Sequence, residues 1–480
     1  MPGSYDAVVV GAGPNGLTAA ARLATAGRSV LVLEAAPTIG GGARTAELVA
    51  EGFRNDVCSA VHPLAVSSPA FAQLGLDGHG LRWLHPPVAL AHPLPGGDAV
   101  ALHQSLAVTL DGLGPDGPAY DRLVGPHLRA WPRLISDVLG PAFHVPDAPL
   151  AFGRFGLASL PPASFTARRF GPRGRALLAG VAAHSLLPLT APLTTAAILL
   201  LAVIGHDAGW PVAAGGSQAI SDALAAVIEA HGGQIRTGER VTSLDRLPPA
   251  ATVLLDVTPR QLLQMSGARL SRWHRRSYAR FGYGPGSCKV DYVLSEPIPW
   301  AAEACRGAGT VHVGGSFEEI AAAEAETCAG RHPERPYVLV GQPSLCDPSR
   351  APAGSHVAWA YCHTPNGSPV DATGQIEAQI ERFAPGWRDV VVGRFARTAA
   401  GFEAYNPNNV GGNIAGGDMS LARMLFRPRV SLHPYRTPIP GVYLCSASTP
   451  PGGGVHGMCG WHAAASVLRD TDAGKGRFRA

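Results

Sequence analysis

The sequence contains very little lysine. Only Lys289 and Lys475 are lysines, and the other 37 of the 39 basic residues are arginines, a bias that a GC-rich genome explains. The 35 acidic residues nearly balance them, and the net charge of +4 excludes a nucleic-acid binder that depends on a strong positive field. The two lysines are still informative, because burial can neutralise an amine whereas a guanidinium effectively stays charged.

Metal-ligand spacing and long apolar runs are also missing. The eight cysteines form no C-x-x-C pair, which excludes common zinc and dithiol motifs and indicates a reduced, cytosolic setting. The most apolar run, residues 193–204, is shorter than the ~18–20 residues that cross a bilayer. We expect a buried helix there, with a peripheral membrane contact as the weaker alternative. No signal peptide is expected, because structured sequence begins at Tyr5.

The chain lacks the composition of a disordered or fibrous protein. Its 480 residues are 46% hydrophobic and only 15% charged, which is too apolar for disorder. The 59 glycines and 43 prolines follow no collagen-like period, so they indicate many turns in a compact protein. At roughly 100–200 residues per domain, the length predicts two or three domains.

A glycine-rich turn follows the first β-type run. Gly11, Gly13 and Gly16 have the G-x-G-x-x-G spacing, a helical pattern comes next, and a second apolar strand ends at Glu34. This order is typical of a dinucleotide-binding βαβ unit, in which the glycines bring the backbone and the helix N-terminus close to the pyrophosphate. The acidic side chain would bind a ribose hydroxyl and repel a 2′-phosphate. The predicted cofactor contacts of this unit are Gly11, Gly13, Pro14, Asn15, Gly16 and Glu34.

A second glycine cluster, residues 39–45, follows within a few residues. It resembles the second motif of FAD-dependent amine oxidases and carotenoid desaturases, in which the backbone passes close to the diphosphate and an arginine helps to hold it. An ordinary glycine loop after a strand is the alternative. The resemblance favours FAD over NAD, and it implies cofactor contacts at Gly41, Gly42, Ala43 and Arg44.

Two later segments complete the cofactor pattern. Residues 210–218 open a predicted helix, which is followed by the predicted strand 234–237. In FAD enzymes of this kind, the chain comes back to the cofactor domain in such a segment, and the backbone of a valine contacts the adenine. The valine at that place here is Val241. Near the C-terminus, the strand 441–445 enters a glycine turn and a helix from Met458. A helix N-terminus there would stabilise negative charge near the flavin N1 and C2 carbonyl. The contacts implied at this turn are Ser446, Gly454 and Val455.

Together these motifs resemble the phytoene-desaturase-like FAD-dependent oxidoreductases, especially the branch of pyridine nucleotide-disulphide oxidoreductase domain-containing protein 2. The resemblance implies an α/β fold with a discontinuous Rossmann-like FAD-binding domain of the amine oxidase and phytoene desaturase type and an inserted α+β substrate domain. We expect the FAD-binding domain at 1–75, 215–288 and 432–480, and the substrate domain at 76–214 and 289–431. The residues that carry the resemblance are 9–16 with Glu34, 40–45, 56–63, 209–218, 284–300, 413–421 and 435–465.

The last strand departs from the family pattern. Many relatives carry an acidic residue there for the ribityl chain, whereas this chain has Ser446 and Ala447, so that contact must come from backbone, hydroxyl or water. His456 follows Val455, whose amide is expected near the flavin O2, and it is a candidate for proton transfer because histidine titrates near neutrality. The alternative is a helix-cap histidine that faces away from the flavin ring.

Lys289 is the strongest candidate for contact with the reacting atoms. Residues 284–292 resemble the amine-oxidase strand whose lysine holds a water against flavin N5; the alternative is a strand lysine that reaches solvent. His62 is a weaker candidate, because it follows the glycine cluster. The remaining titratable residues of the substrate domain are expected to be structural: His184, His206, His363, Tyr361 and Tyr405.

The leading functional hypothesis is an FAD-dependent oxidoreductase that dehydrogenates a mainly apolar small molecule, or isomerises it, by hydride transfer to flavin N5. Without a second dinucleotide motif, oxygen or a quinone is the expected electron acceptor. The alternatives are an amine, amino-acid or natural-product tailoring oxidase that uses oxygen, and a flavin-binding scaffold without turnover. We expect no metal and no nucleic acid, and the oligomeric state stays open.

Overall fold

The computed structural model describes residues 4–141, 143–474 and 478, so that Lys475 lies outside the described residues. Two large sheets organise these residues. The first, called the Rossmann sheet, is parallel throughout. Its inner strands are short and rich in valine, leucine and alanine that are buried on both faces, as parallel strands require, whereas the edge strand Gln234–Arg236 is more polar and more exposed. Its strand order is Val442–Leu444, Ala250–Leu255, Tyr5–Val10, Val30–Leu33 and Gln234–Arg236.

Helices cover both faces of the Rossmann sheet. The first helix, Pro14–Thr25, packs on one face between the last helix, Met458–Asp472, and the helix Gln218–Ala230. On the other face, the helices Pro259–Met265 and Arg272–Ala279 bury Leu262, Met265 and Tyr278 in a separate apolar cluster. Because strands from the two ends and the middle of the chain form one sheet, the cofactor-binding domain is discontinuous, as predicted.

The second sheet is mixed. Each of its neighbouring pairs is antiparallel except the pair Ala308–Val313 and Val88–Leu94, which is parallel. Helices Pro172–Ala183 and Thr194–Asp207 contribute to the apolar cluster on one face, and Ile376, Ile380 and Trp387 to the cluster on the other. Its strand order is Val391–Arg397, Gly286–Leu294, His356–Thr364, Val338–Gly341, Ala308–Val313, Val88–Leu94 and Asp98–Leu102.

The remaining elements are two short strand pairs and further helices, of which Gly117–Val138 and Phe317–Cys328 also contribute buried side chains to the core. The two-residue strands are Thr45–Ala46 with Asn55–Asp56, and Trp83–Leu84 with Val212–Ala213. The other α-helices are Pro63–Val66, Pro69–Leu74, Leu106–Leu113, Gly117–Val138, Pro149–Ser159, Ala163–Thr166, Glu303–Arg306, Phe317–Cys328, Thr373–Glu381, Trp387–Val390, Ala399–Tyr405 and Leu421–Leu425.

The apolar run at 193–204 forms most of the helix Thr194–Asp207, whose inner side chains are buried, so the expectation of a buried helix is confirmed. Within the described part of the chain, none of the helices has both the length and the apolar character needed to cross a membrane. The predicted fold class is confirmed by the parallel Rossmann sheet and the separate mixed sheet. The exact domain boundaries stay a prediction.

Candidate active site

Two cavities meet at the carboxyl end of the Rossmann sheet. The Glu34 cavity, named after the acid at the end of the second strand, has a volume of about 270 Å³. The Trp359 cavity, named after an indole in its wall, has a volume of about 330 Å³. Gly13, Gly41 and Asp256 line both cavities, so a long ligand could extend from one into the other past these residues.

The first glycine turn has the geometry that the motif predicts. Gly11 adopts φ +99°, which side chains rarely allow, and Gly13 is the N-cap residue of the first helix. A Cβ on Gly16 would lie only 2.1 Å from the carbonyl oxygen of Gly11, so only glycine lets the helix begin this close to the strand. Gly11, Gly13, Pro14 and Asn15 line the cavities, whereas Gly16 supports them from behind.

The Glu34 carboxylate lies in the wall of its cavity, and backbone groups fix its position. One oxygen accepts a hydrogen bond from the Ala12 N–H at 2.7 Å, and the other accepts one from the Ala36 N–H at 2.8 Å. Arg44 forms an ion pair with it at 3.3 Å, and both side chains are about nine-tenths buried. An ionised carboxylate has about four acceptor positions, so this group can still accept hydrogen bonds from a ribose diol.

The second glycine cluster packs directly on the first. A Cβ on Gly41 would lie 3.0 Å from the Gly13 Cα, so the two turns form one narrow backbone passage. Arg44 lines the Glu34 cavity, donates to the carbonyl oxygens of Thr38 and Ile39, and donates to the Tyr405 hydroxyl at 3.2 Å. Gly42 lines the Trp359 cavity. Ala43 is fully buried and lines neither cavity.

The C-terminal turn forms another wall of the Trp359 cavity. Ser446, Gly454 and Val455 all line it, as the resemblance implies. The Ser446 hydroxyl donates to the Val257 carbonyl oxygen at 2.7 Å, so its backbone is left to face the cavity. Val455 has φ +57°, an outlier for a β-branched residue, and such strain is concentrated at functional sites. Val241 lines the Glu34 cavity, at the opposite end of the passage.

Four residues that line the Trp359 cavity carry a buried polar atom without a protein partner. Two of these atoms are Asn15 Oδ1, at the start of the first helix, and Asn409 Nδ2, from a loop that the second domain contributes; the other two are Thr310 Oγ1 and Trp359 Nε1. Buried polar groups are normally satisfied, and a ligand in this cavity could supply matching groups for these atoms. Together with the glycine passage and the Glu34 carboxylate, they fit a dinucleotide whose two halves occupy the two cavities.

Sequence reasoning missed the loop after Tyr405 and the residue Asp256. Asn406, Asn408 and Asn409 line the cavities, and the Asn408 amide donates to the Asp256 carbonyl oxygen at 2.8 Å. Asp256 directly follows the strand that pairs with the first strand. A polar residue at the carboxyl end of a buried parallel strand was an available signal, because ligands bind there in open α/β sheets.

Lys289 lies behind the cavity wall. Its ammonium donates to the Asp56 carbonyl oxygen at 2.9 Å and forms a short ion pair with Asp291, and both charged side chains are only 2% exposed. The alternative of a solvent-reaching lysine is therefore wrong. Its Nζ is 5.9 Å from the centre of the Trp359 ring, whose indole lines the cavity. Direct participation of Lys289 in the chemistry stays a prediction.

The two candidate histidines are buried beside the site without lining it. His456 Nδ1 accepts the Met458 N–H at 3.0 Å, which is the cap position that the alternative interpretation described. His62 Nε2 contacts the Ser217 hydroxyl at 2.8 Å, while its neighbours Val61 and Pro63 line the Trp359 cavity. Burial lowers the pKa of each imidazole to about 4, so both are neutral at physiological pH.

The far wall of the Trp359 cavity comes from the second domain and is mostly apolar. His184 and Tyr361, expected to be structural, lie in this wall, and Tyr405 lines the Glu34 cavity. His184 Nε2 lies 3.2 Å from His312 Nε2. The other two residues expected to be structural have buried partners outside the cavities, since His206 contacts Tyr120 and His363 pairs with Glu324. The wall comprises His184, Leu201, Trp210, Thr310, Leu339, Trp359 and Tyr361.

Sequence comparison places the first motif in a known domain family. The model of the NAD(P)-binding Rossmann-like domain matches residues 9–74. Over 97% of its length, the chain is 28% identical to pyridine nucleotide-disulfide oxidoreductase domain-containing protein 2 of Rattus norvegicus, with 94% of that protein covered. A shorter match, 37% identical over 22% of the chain and 19% of the relative, is to one of the subunits of limonene dehydrogenase from Castellaniella defragrans.

The fold is shared with a solved amine oxidase. Cyclohexylamine oxidase from Brevibacterium oxydans superimposes with a TM-score of 0.62 at 15% identity, covering 98% of this chain and all of the other. The predicted resemblance and the predicted Rossmann-like fold are therefore confirmed. FAD, the predicted cofactor, agrees with this fold and with the two-cavity geometry of the site.

Proposed function

We propose that this chain is an FAD-dependent oxidoreductase that dehydrogenates a mainly apolar small molecule, or isomerises it through the flavin. The observation that carries this proposal is the meeting of two cavities at Gly13, Gly41 and Asp256, with the largely apolar far wall on the Trp359 cavity. A dinucleotide in this passage leaves its reactive half facing the apolar wall. That arrangement positions a flavin against a substrate that has few polar groups.

The proposed FAD contacts divide between the cavities. Glu34 and Val241 would hold the adenosine half, and the glycine passage with Arg44 nearby would hold the diphosphate. Ser446, Gly454 and Val455 would face the flavin ring, close to the N-terminus of the last helix, which favours negative charge on the ring. When bound, FAD supplies a hydride acceptor at N5, while the surrounding residues orient the substrate and exclude water.

The substrate side is built for an apolar molecule. This wall is apolar because of the side chains of Leu201, Trp210, Leu339 and Trp359. Limonene dehydrogenase, one subunit of which is the partial relative, is named for an apolar substrate. His184 is the ionisable imidazole in the wall. Burial, and to a lesser degree the charge of His363, lower the pKa of His184 to about 3, so the ring is neutral at physiological pH.

We propose that His184 takes the proton that dehydrogenation releases, with His312 orienting its ring. Replacing His184 with glutamine is expected to slow anaerobic flavin reduction by roughly 10²–10⁴-fold, without weakening FAD binding. Because the imidazole is already neutral far above its pKa, the wild-type rate should not change between pH 6 and 9 through this group. Stopped-flow absorbance of the flavin measures both effects. His433→Gln, an exposed change, is the control; an unchanged rate in His184→Gln would exclude it as the base.

An amine-oxidising alternative has one specific observation in its favour. The Trp359 and Tyr361 rings both line the cavity, are nearly parallel at 7°, and have centres 6.1 Å apart. Aromatic faces attract a substrate cation, so this pair would suit an amine, and the fold is shared with cyclohexylamine oxidase. Such an oxidase would release hydrogen peroxide with amine substrates. Since the sequence has no second dinucleotide motif, oxygen or a quinone is the proposed acceptor in either case.

Lys289→Met tests whether the buried amine assists the reaction with oxygen. If it does, the reoxidation of reduced flavin by oxygen should slow at least about tenfold, as expected for a lost proton-transfer or electrostatic contact. Lys289→Arg is the matched variant, because it keeps a cation beside Asp291 and removes the neutralisable amine. Wild-type oxygen reactivity in both variants would show that Lys289 takes no part in the reaction with oxygen.

The experiment that tests the proposed function is anaerobic bleaching of the bound flavin by a panel of polyenes, retinoids, amines and cyclic intermediates. Bleaching by apolar members supports the dehydrogenase, and bleaching by amines with peroxide release in air supports the oxidase. Purified protein that is colourless and does not take up FAD would reject both, and bound flavin that no member of the panel bleaches would leave the flavin-binding scaffold. Rapid flavin reduction by tightly bound NADPH would reject oxygen or quinone as the sole redox partner.

A further inference from the structure

The Asp256 carboxyl group occupies the junction of the two cavities. It follows the strand Ala250–Leu255, which pairs with the central strand Tyr5–Val10, and its Oδ2 accepts the Gly16 N–H at 3.0 Å. A Cβ on Gly13 would lie 2.7 Å from the same oxygen, so the carboxyl group is in direct contact with the glycine turn. Asp256 is therefore adjacent to the place where the cofactor diphosphate must pass.

Asp256 has no ion-pair partner among the residues that the structure describes. Arg44, the nearest candidate in the Glu34 cavity, forms its ion pair with Glu34. Across the described ranges 4–141, 143–474 and 478, no Lys, Arg or His nitrogen forms an ion pair with Asp256. The ionisable groups that face it or share one of its two cavities are Glu34, Arg44, Glu239, Arg240 and Tyr405 in the Glu34 cavity, Cys58, His184 and Tyr361 in the Trp359 cavity, and the buried thiols of Cys445 and Cys459.

Burial, assisted by the negative charge of Glu34, raises the pKa of Asp256 to about 7, although hydrogen bonds from the Gly16 and Gly13 N–H groups oppose the change. A bound diphosphate would add negative charge at the same place. Like charges so close together in a buried site cannot both remain ionised without a large cost. The carboxyl group therefore either becomes protonated or prevents the cofactor from binding.

We propose that Asp256 binds the cofactor diphosphate as a neutral carboxylic acid, donating its O–H to a phosphate oxygen, so that FAD binding at alkaline pH takes up one proton from solvent. The balance is simple: the carboxylate gains a proton, FAD is not changed covalently, and no electron moves. The Gly16 N–H bond is retained, because an acid oxygen still accepts it. This proposal rests on the proposed function, since it takes FAD as the occupant of the passage.

The direction of the pH effect follows from proton linkage. A group that is protonated in the complex and half-ionised near pH 7 in the free protein must gain a proton at higher pH before the cofactor binds. The dissociation constant for FAD should change little below about pH 6 and rise by up to tenfold per pH unit above 7. Between pH 6 and pH 9 the wild-type affinity is expected to fall by about a hundredfold.

Asp256→Asn separates this role from a merely structural one. Its amide has nearly the same shape, donates an N–H to the phosphate, and cannot ionise. The full chain, stripped of flavin, is titrated with FAD at pH 6 to 9 by flavin fluorescence quenching. Calorimetry in two buffers of different ionisation enthalpy counts the protons taken up. We expect Asp256→Asn to match wild type at pH 6, to keep that affinity at pH 9, and to take up no proton.

The control is Asp222→Asn, which changes an exposed carboxyl group in the same domain and should keep the wild-type pH slope. Equal wild-type affinity at pH 6 and 9, without proton uptake, would overturn the role of Asp256 and leave the proposed function intact. A pH slope that persists in Asp256→Asn would also overturn it. No FAD binding at any pH, in either protein, would instead reject the proposed function. If Asp256→Asn does not fold, the wild-type proton count decides.

Discussion

Replacing Gly16 with alanine is expected to lower the affinity for FAD by at least about a hundredfold, because two or more charge-assisted N–H contacts to the diphosphate would be lost. The new Cβ would lie 2.1 Å from the Gly11 carbonyl oxygen, 3.0 Å from the Asp256 Cβ and 3.1 Å from its Oδ2. Gly11 is already at φ +99° and has little room to move. The first helix must therefore shift away from the strand, and its N-terminus moves with it.

The same clash should destabilise the fold by about 1–3 kcal/mol, the usual cost of overpacking a close-packed site. Flavin fluorescence titration gives the affinity, and urea denaturation gives the stability. Gly153→Ala is the matched control, because Gly153 lies in the helix Pro149–Ser159 and a Cβ there would meet nothing within 4 Å. Its affinity for FAD should be that of wild type. Normal FAD affinity in Gly16→Ala would contradict the assignment of this turn to the diphosphate.

Replacing Arg350 with methionine is expected to reduce the free energy of unfolding by about 3–5 kcal/mol, since it leaves two buried carboxylates without their cation. Arg350 is completely buried and forms ion pairs with Asp56 at 2.9 Å and with Asp347 at 2.8 Å. Asp56 also accepts hydrogen bonds from the Thr45 hydroxyl and the Ser217 N–H. These buried ion pairs thus connect the second glycine cluster to the start of the helix Gln218–Ala230 and to the second domain.

The urea midpoint of unfolding, followed by tryptophan fluorescence, measures this loss. The control is Arg382→Met, which removes a solvent-exposed partner of Glu319 and should cost no more than about 1 kcal/mol. Because the network lies beside the cofactor passage, Arg350→Met is also expected to retain flavin poorly on gel filtration. Equal midpoints for the two variants would mean that the buried network contributes no more than a surface pair.

The cofactor passage was largely predictable because its signals are local. The G-x-G-x-x-G spacing, the acid at the end of the second strand and the second glycine cluster each lie within about 45 residues of the N-terminus. Backbone requirements in such turns allow few residue types, so the sequence pattern carries the geometry. Twelve of the fourteen predicted cofactor residues line a cavity; Gly16 and Ala43 support those residues from behind.

The environment of the catalytic candidates was not predictable in the same way. Lys289 was identified from the strand that carries it, but no local pattern indicated that Asp291 and the Asp56 carbonyl oxygen would hold its ammonium. His184 was expected to be structural, yet it lies in the cavity wall beside His312, 128 residues later in the chain. Which side chains face a cavity depends on packing between distant segments, and a periodic pattern reports only burial.

The sequence alone therefore determined the dinucleotide turn, the discontinuous Rossmann domain and the broad class of protein, because glycine spacing and buried strands express local backbone requirements. It also singled out Lys289 in a chain that contains almost no lysine. Only the tertiary structure decided what surrounds that amine, and only it brought Asp256 against Gly13 and Gly16 from 240 residues away. The protonation of buried groups depends on such long-range neighbours, because burial and nearby charge, rather than residue type, set their pKa values.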